Sequence, residues 1–367
     1  MSRSAIAILS TENLLHNLTV LKKAAPRSKV IAMVKANAYG HGLRSVSIRL
    51  DPYIDMLGVA SLDEALALRK IGVKVPILLA EGVFEPSELS VAASENCHVV
   101  FHHETQLEWL EKSTLPLPLQ AWIKINTGMG RLGFNLEQAY TYYNRLASNP
   151  QIQKPLRMIS HFACADEKDN PLNTTQIKNF KALTRSLQTE FSFCNSAAIF
   201  NFPACHYEFI RPGLALYGVS PLKGIYASAL NLKPVMTLQT RLISIQKMPK
   251  DAYVGYNARY QCPEEMPVGI VAFGYGDGYP LTAQDGTPVL INQKICTLIG
   301  RVSMDMMALD LRNCPTAQIG DLVTLWGEGL PIEEVAEHTS NISWDMLTGI
   351  QHRVKFFWTS PETTNAI

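Results

Sequence analysis

Between residues 28 and 218, short apolar runs alternate with stretches of helical period, and no other feature limits the fold so tightly. The runs are "SKVIAMVKA", "MLGVA", "VPILLA", "CHVVFH", "LQAWIKIN", "RMISHFA", "FSFCNSA" and "FIRPGLALYG". Apolar strands that each lead into a helix bury both faces only in a parallel sheet covered by those helices. One helix is expected over Ser61 to Ile71, where Ser61 and Glu64 have capping-box spacing and Gly72 suits the C-terminal cap. Eight repeats in a row predict an α/β chain closed into a (β/α)8 barrel of the TIM type. An open doubly wound sheet reads almost the same locally, but the strand count favours the barrel.

After "NLKPVM" the texture changes to β-rich runs such as "VMTLQTRLISIQKM", "GIVAFGY", "DLVTLWG" and "QHRVKFFWT", separated by Gly, Pro and Asp turns. The expected organisation is a barrel over residues 1–230 and a mostly antiparallel β domain over residues 231–367. A chain of 367 residues with 47% hydrophobic and 18% charged residues can bury two such cores. A net charge of +1 without long Lys/Arg runs argues against nucleic acid or a membrane surface as partner and for a small molecule. No apolar stretch approaches the roughly eighteen residues of a spanning helix, and the N-terminal apolar block is too short for an export signal. The seven cysteines are odd in number and form no C-x-x-C pair, as expected of free thiols in the reducing cytoplasm.

In a barrel the reactive groups gather where the strands end at their C-termini. Here the first run ends in Lys35, the fifth carries Lys124 and Asn126, and the sixth ends in His161. The seventh runs into Asn195 and Ser196, and the last contains Arg211. A single strand-end lysine is more often solvated than catalytic. Five strands bringing an amine, imidazole, amide or guanidinium to one rim point instead to a polar or anionic ligand.

Other patterns are weaker. "GMGRLG", residues 128 to 133, matches G-x-G-x-x-G after a strand, yet residues 138 to 165 hold no acid to receive a ribose, so the match reads as coincidence. "FHHETQ" and "SHFACADE" lack metal-ligand spacing, and no metal is expected. The absence of G-x-S-x-G weakens a serine-hydrolase reading.

"VIAMVKANAYGHG" resembles the lysine signature of the alanine racemases almost letter for letter. The resemblance continues in family order through "NTGMGRLGF", "SHFACADE", "CNSAA", "RPGLALYG", "VGYNARY", "FGYGDGYP" and "GRVSMDM", spanning essentially the whole chain. It implies a pyridoxal 5'-phosphate enzyme that interconverts L- and D-alanine through a cofactor aldimine, for peptidoglycan synthesis or D-alanine catabolism. It also implies a homodimer with shared active sites.

By this resemblance Lys35 binds the cofactor and serves the D-alanine face, while Tyr256 serves the L-alanine face from the partner subunit. Arg211 is similar to the arginine that hydrogen-bonds the pyridine nitrogen, and His161 to the histidine that buttresses it; a satisfied strand histidine is the plainer reading of His161. Tyr39, Asn195, Ser196, Gly213, Leu214 and His352 fall at cofactor and phosphate positions, and Ser196 is also expected to cap its helix. Arg131 corresponds to the arginine facing the cofactor hydroxyl and the substrate carboxylate. Lys124 corresponds to a lysine often carbamylated, which would make it an anion that orients Arg131. Tyr275, Met304 and Asp305 match residues at the substrate entrance, although Tyr275 and Met304 would also pass as core side chains.

Three positions depart from the commonest pattern: Asn126 for Asp, Asn257 for Gly and His352 for Tyr. They bear on the charge near Lys124, the loop at Tyr256 and one phosphate contact. Two competing readings are a racemase or decarboxylase acting on other amino acids, and a cofactor-binding protein without catalysis.

Overall fold

The computed structural model describes residues 4–359. It divides into two compact units, one running from Leu18 to Leu216 with Pro221–Ile225, the other comprising the chain up to Asn17, Tyr217–Ser220 and the chain from Tyr226 onward.

In chain order, β1 spans Ile6–Ser10, and β2 to β9 span Lys29–Met33, Met56–Val59, Ile77–Leu79, Cys97–Phe101, Leu119–Lys124, Ile152–Ile159, Phe191–Asn195 and Phe209–Arg211. β2 to β9 are all parallel and form a closed barrel, the last strand pairing back to the first through Lys29↔Phe209 and Val30↔Ile210. Most of these strands are short and buried on both faces, as "MLGV", "ILL" and "CHVVF" are throughout; β7 is longer and exposed over Gln153–Pro155. Ile31, Met33, Met56, Leu78, Val100, Trp122, Ile159 and Phe209 fill the interior. Gly58 admits this packing, because a Cβ there would stand 2.4 Å from Met33 Sδ.

The N-terminal end of the barrel carries a polar plug. Trp122 Nε1 donates to His98 Nδ1 at 3.1 Å, the Arg157 guanidinium lies over the Trp122 ring, and Glu190 receives both Arg157 and Lys29. The helix after β3 is Leu62–Lys70; Ser61 caps it by accepting from Glu64 N, and Gly72 follows at φ +87°.

The remaining strands are β10 Met236–Met248, β11 Tyr253–Val254, β12 Tyr260–Gln261, β13 Met266–Val271, β14 Pro288–Ile291, β15 Lys294–Ile299, β16 Met307–Asp310, β17 Leu322–Trp326 and β18 Lys355–Thr359. Eight strands join in the order β13-β16-β15-β14-β17-β10-β1-β18, while β11 and β12 make a separate hairpin. Every pairing in the large sheet is antiparallel except β1 with β18.

Here the structure departs from the expectation that residues 1–230 form the barrel unit. β1 pairs with β10 and β18, so the first stretch of chain lies in the antiparallel unit. The reason is visible in its burial: β1 alternates between buried and partly exposed residues, the habit of a sheet with one covered face, whereas barrel strands such as β3, β4 and β5 are buried on both.

Candidate active site

Lys35 stands two residues beyond the end of β2, and the backbone after it turns the unusual way. Ala36, Asn37, Ala38 and Tyr39 all have φ between 51° and 55°, giving a left-handed turn that costs each non-glycine residue about 1–2 kcal/mol. Asn37 tolerates this region better than most residues and uses its side chain, Oδ1 accepting from Leu43 N at 2.8 Å. Glu64 holds the start of the turn, its carboxylate accepting from Ala36 N at 2.9 Å and Ala60 N at 2.8 Å. Lys35 Nζ lies 3.7 Å from Glu81 Oε1. Burial raises the Tyr39 phenol above its ordinary value.

On the neighbouring strand, Arg211 ends β9 and is buried. Its Nη1 donates to Ser192 Oγ at 2.6 Å; its Nη2 donates to Ser160 O at 2.5 Å and meets His161 Nδ1 at 3.1 Å and Phe193 O at 3.4 Å. All four partners are neutral. Burial pushes the guanidinium down to about 10, so it remains a cation at neutral pH whose charge these contacts do not cancel. His161 sits in the loop past β7, not in the strand, and burial together with Arg211, Lys124, Arg131 and Lys35 holds its imidazole well below the usual histidine range.

Asn195 and Ser196 divide their labour differently from expectation. Asn195 Oδ1 caps the following helix by accepting from Ala198 N, while Ser196 Oγ accepts from Gly213 N at 2.8 Å and Ala215 N at 3.3 Å. Ser196 is therefore tied to the turn containing Leu214 and does not cap its own helix. Gly213 is needed there, because a Cβ would stand 2.4 Å from the Tyr39 hydroxyl.

Lys124 ends β6 and shares a small pocket with Asn126, Arg131, Ser160 and His161. Burial, then Arg211, Arg131 and Lys35, push its amine down to about 8 against the opposing pull of Glu81. The "GMGRLG" loop returns to the barrel through the Ile125↔Phe134 bridge. Its folding accounts for the glycines: Asn126 Oδ1 accepts from Gly128 N and Gly130 N, and a Cβ on Gly133 would press on the Asn126 backbone at 2.7 Å. An Asn carbonyl serves this turn without a charge.

The antiparallel unit carries the other predicted residues. Tyr256 is exposed in the turn between β11 and β12, and Asn257 beside it has φ +58°, the left-handed conformation that asparagine supports in place of glycine. Tyr275, Met304 and Asp305 meet in two loops laced together by Tyr275 N to Ser303 O and Gly276 N to Met304 O. Tyr275 and Met304 are exposed, which sets aside their reading as core side chains. Arg353 clamps these loops, its Nε 2.7 Å from buried Asp277 and its Nη2 reaching Asp305 Oδ1 at 2.8 Å and Met304 O at 3.1 Å. His352 next to it is exposed.

Sequence reasoning passed over Glu81, Ser160, Ser192, Asp277 and Arg353. Glu81 alone left a signal: it stands two residues past β4 just as Lys35 stands two past β2 and His161 two past β7.

A closed parallel barrel whose rim gathers amines, a buried guanidinium and an imidazole has the makings of an enzyme site for a polar or anionic ligand. Residues 9–221 match the family model for the alanine racemase N-terminal domain, and residues 235–358 that for the C-terminal domain. The chain belongs to the alanine racemase family. The alanine racemase of Coxiella burnetii is 45% identical over 357 residues, 96% of this chain and 98% of that protein. The crystal structure of biosynthetic alanine racemase from Pseudomonas aeruginosa is 40% identical with a TM-score of 0.95, covering 98% of this chain and 100% of that one. Alanine racemase from Acinetobacter baumannii is 36% identical with a TM-score of 0.92, covering 97% and 100%.

Proposed function

We propose that the chain interconverts L- and D-alanine with pyridoxal 5'-phosphate bound at the barrel rim. The observation that carries this reading is the rim itself, where Lys35 and the neutrally partnered cation Arg211 stand at the ends of adjacent strands of the closed barrel. The residues present fit such a cofactor: Tyr39, Ser196 and the Gly213–Leu214 turn form a close corner of hydroxyl and N–H groups suited to phosphate.

Pyridoxal phosphate, when bound, supplies an aldehyde for amine condensation and a ring that draws electrons from the α-carbon. Lys35 Nζ would hold it and would carry a proton on one face of that carbon. Tyr256, contributed by a second copy of the chain, moves the proton on the other face, which makes the working form a homodimer with shared sites. Arg211 would donate to the ring nitrogen and, holding its own proton, would leave that nitrogen an acceptor. His161 and Asn195 would support that side, and His352 falls at a phosphate position of the family pattern. Arg131, oriented by a carbamate on Lys124, and the Met304 N–H bind the substrate carboxylate, with Tyr275 and Asp305 at the entrance.

The described residues contain no helix long and apolar enough to cross a membrane. The unpaired state of all seven cysteines fits our assignment to the cytoplasm, where the D-alanine formed would serve peptidoglycan or be degraded. The test is L-alanine in deuterated water with added cofactor: inversion should place deuterium at the α-carbon. Mixed Lys35→Ala and Tyr256→Phe chains should recover part of the activity that each lacks alone. Absence of both inversion and exchange ends the proposal, and faster turnover of serine or lysine would change the substrate.

A further inference from the structure

We propose that Gln176 is a positioning residue that ties the Arg131 loop to the His161 loop and thereby sets the hold on the substrate carboxylate. This rests on the role proposed for Arg131 and adds to it a side chain from behind the rim. Gln176 is fully buried on the helix Pro171–Thr184, which follows β7. Its amide uses every polar atom: Nε2 donates to Thr127 Oγ1 at 3.2 Å and to His161 O at 2.8 Å, and Oε1 accepts from Ala163 N at 2.9 Å. A backbone carbonyl at one end and a backbone N–H at the other fix which way the amide faces. Thr127 opens the loop after β6 that carries Arg131, whereas His161 and Ala163 lie in the loop after β7. One side chain therefore spans two consecutive rim loops.

The bond to Thr127 belongs to a directed chain. Ser160 Oγ donates to Ile125 O at 2.7 Å, which leaves it to accept from Thr127 Oγ1 at 2.9 Å, and Thr127 in turn accepts from Gln176. Ser160 O receives Arg211 Nη2, so the same chain reaches the buried guanidinium. Thr127, Ser160, His161 and Arg131 line one small pocket. The helix also grips the loop backbone: Asn179 Nδ2 donates to Thr127 O at 3.0 Å, and a Cβ on Gly128 would stand 3.1 Å from Gln176 Cγ. Arg131 stands on the exposed part of this loop, four residues beyond Thr127, so a shift at Thr127 is passed on to its guanidinium.

The rim repeats the device. Glu64 joins the loops after β2 and β3 through Ala36 N and Ala60 N, Gln106 joins those after β4 and β5 through Val83 O and His102 N, and Ser196 joins those after β8 and β9 through Gly213 N. Eight loops are thus held as four pairs, and the pair closed by Gln176 is the one that contains Arg131. A displaced Arg131 would weaken a carboxylate contact made equally before and during reaction, which raises KM and spares kcat.

The test combines amide exchange on the full-length, cofactor-free protein with alanine kinetics on the loaded enzyme. Thr127→Val removes the hydroxyl and keeps the shape, so exchange should accelerate across residues 127–133 while Ala163 N stays protected by Gln176. Gln176→Met should accelerate exchange in both residues 127–133 and residues 161–164. In both variants KM for L-alanine should rise about three- to tenfold with kcat kept within about twofold. Gln106→Met cuts an equivalent tie in the pair without Arg131 and should leave KM unaltered. Unchanged exchange over residues 127–133 in Thr127→Val, or an equal rise in KM with Gln106→Met, overturns the proposal. Thr127→Val decides the matter if Gln176→Met does not fold. Exchange is read without substrate, so this result is separable from failure of the racemase reading, which shows as absent alanine inversion in the unaltered enzyme.

Discussion

Arg211 Nη2 points at the Nδ1 lone pair of His161 from 3.1 Å. A proton on Nδ1 would confront a guanidinium, which is why His161 stays neutral well below the usual histidine range. Its folded value lies below its unfolded one, so the stability it contributes is present above pH ~6.5 and lost as the pH falls below that. Arg211→Met should cost about 2–4 kcal/mol in urea unfolding at pH 7, since it strips the donors from Ser160 O, Ser192 Oγ and Phe193 O together. A loss under 1 kcal/mol would show that these buried acceptors find other partners.

Lys124 has its amine pushed down to about 8, so much of it is neutral in mildly alkaline solution. The neutral amine can add carbon dioxide, forming a nitrogen–carbon bond and releasing a proton. Bicarbonate should add one carbon dioxide to the intact mass, and Lys124→Met should abolish that gain and lower kcat about tenfold or more. Density for a bare ammonium on a crystal grown with bicarbonate would exclude the carbamate.

Asn37 supports the left-handed turn after Lys35 both by its conformation and through the bond from Leu43 N. Asn37→Val puts a β-branched residue at φ +55° and deletes that acceptor, which should cost about 2–3 kcal/mol in chemical denaturation. Ala36→Gly should leave stability unchanged or raise it slightly, because glycine enters the left-handed region without strain.

Asp277 is fully buried while its partner Arg353 is more than a third exposed, so the pair is worth less than a wholly buried one. Asp277→Ala should still destabilise by about 2 kcal/mol, because Gly274 N also loses an acceptor. Amide exchange across residues 303–306 should accelerate, since Arg353 would lose the anchor from which it reaches Met304 O and Asp305. Unchanged exchange there would remove Arg353 from the positioning of those loops.

His98 supplies the acid-sensitive point at the other end of the barrel. Burial, then Arg157, push its imidazole down to about 3 while Glu190 pulls the other way. The depressed value means full stabilisation above pH ~6.5 and progressive loss as the pH falls toward 3. His98→Gln retains an acceptor for Trp122 Nε1 but does not titrate, so its Tm should decline less between pH 6.5 and 4. Parallel Tm curves for the two proteins would place the acid sensitivity elsewhere.

The barrel was legible because its strands announce themselves by local apolarity, and Lys35, Lys124, His161 and Arg211 each stand within two residues of a strand end. Asn257 and Asn126 were legible only as departures; their backbone conformation and hydrogen bonds make both intelligible as turn residues. Ser196 leaves the cap to Asn195, because Ser and Asn in succession compete for one task and the nearby Gly213 turn decides which takes it.

By itself the sequence determined the number of βα repeats, the rim position of Lys35, Lys124, His161 and Arg211, and the family to which they belong, since periodicity and motif chemistry act over a few neighbouring residues. Only the tertiary structure decided that β1 leaves the barrel for the antiparallel sheet, that Glu81 faces Lys35, and that Arg353 reaches back to Asp277. Those pairings join groups far apart in the chain, and barrel closure and strand register bring them together, quantities that no local pattern contains.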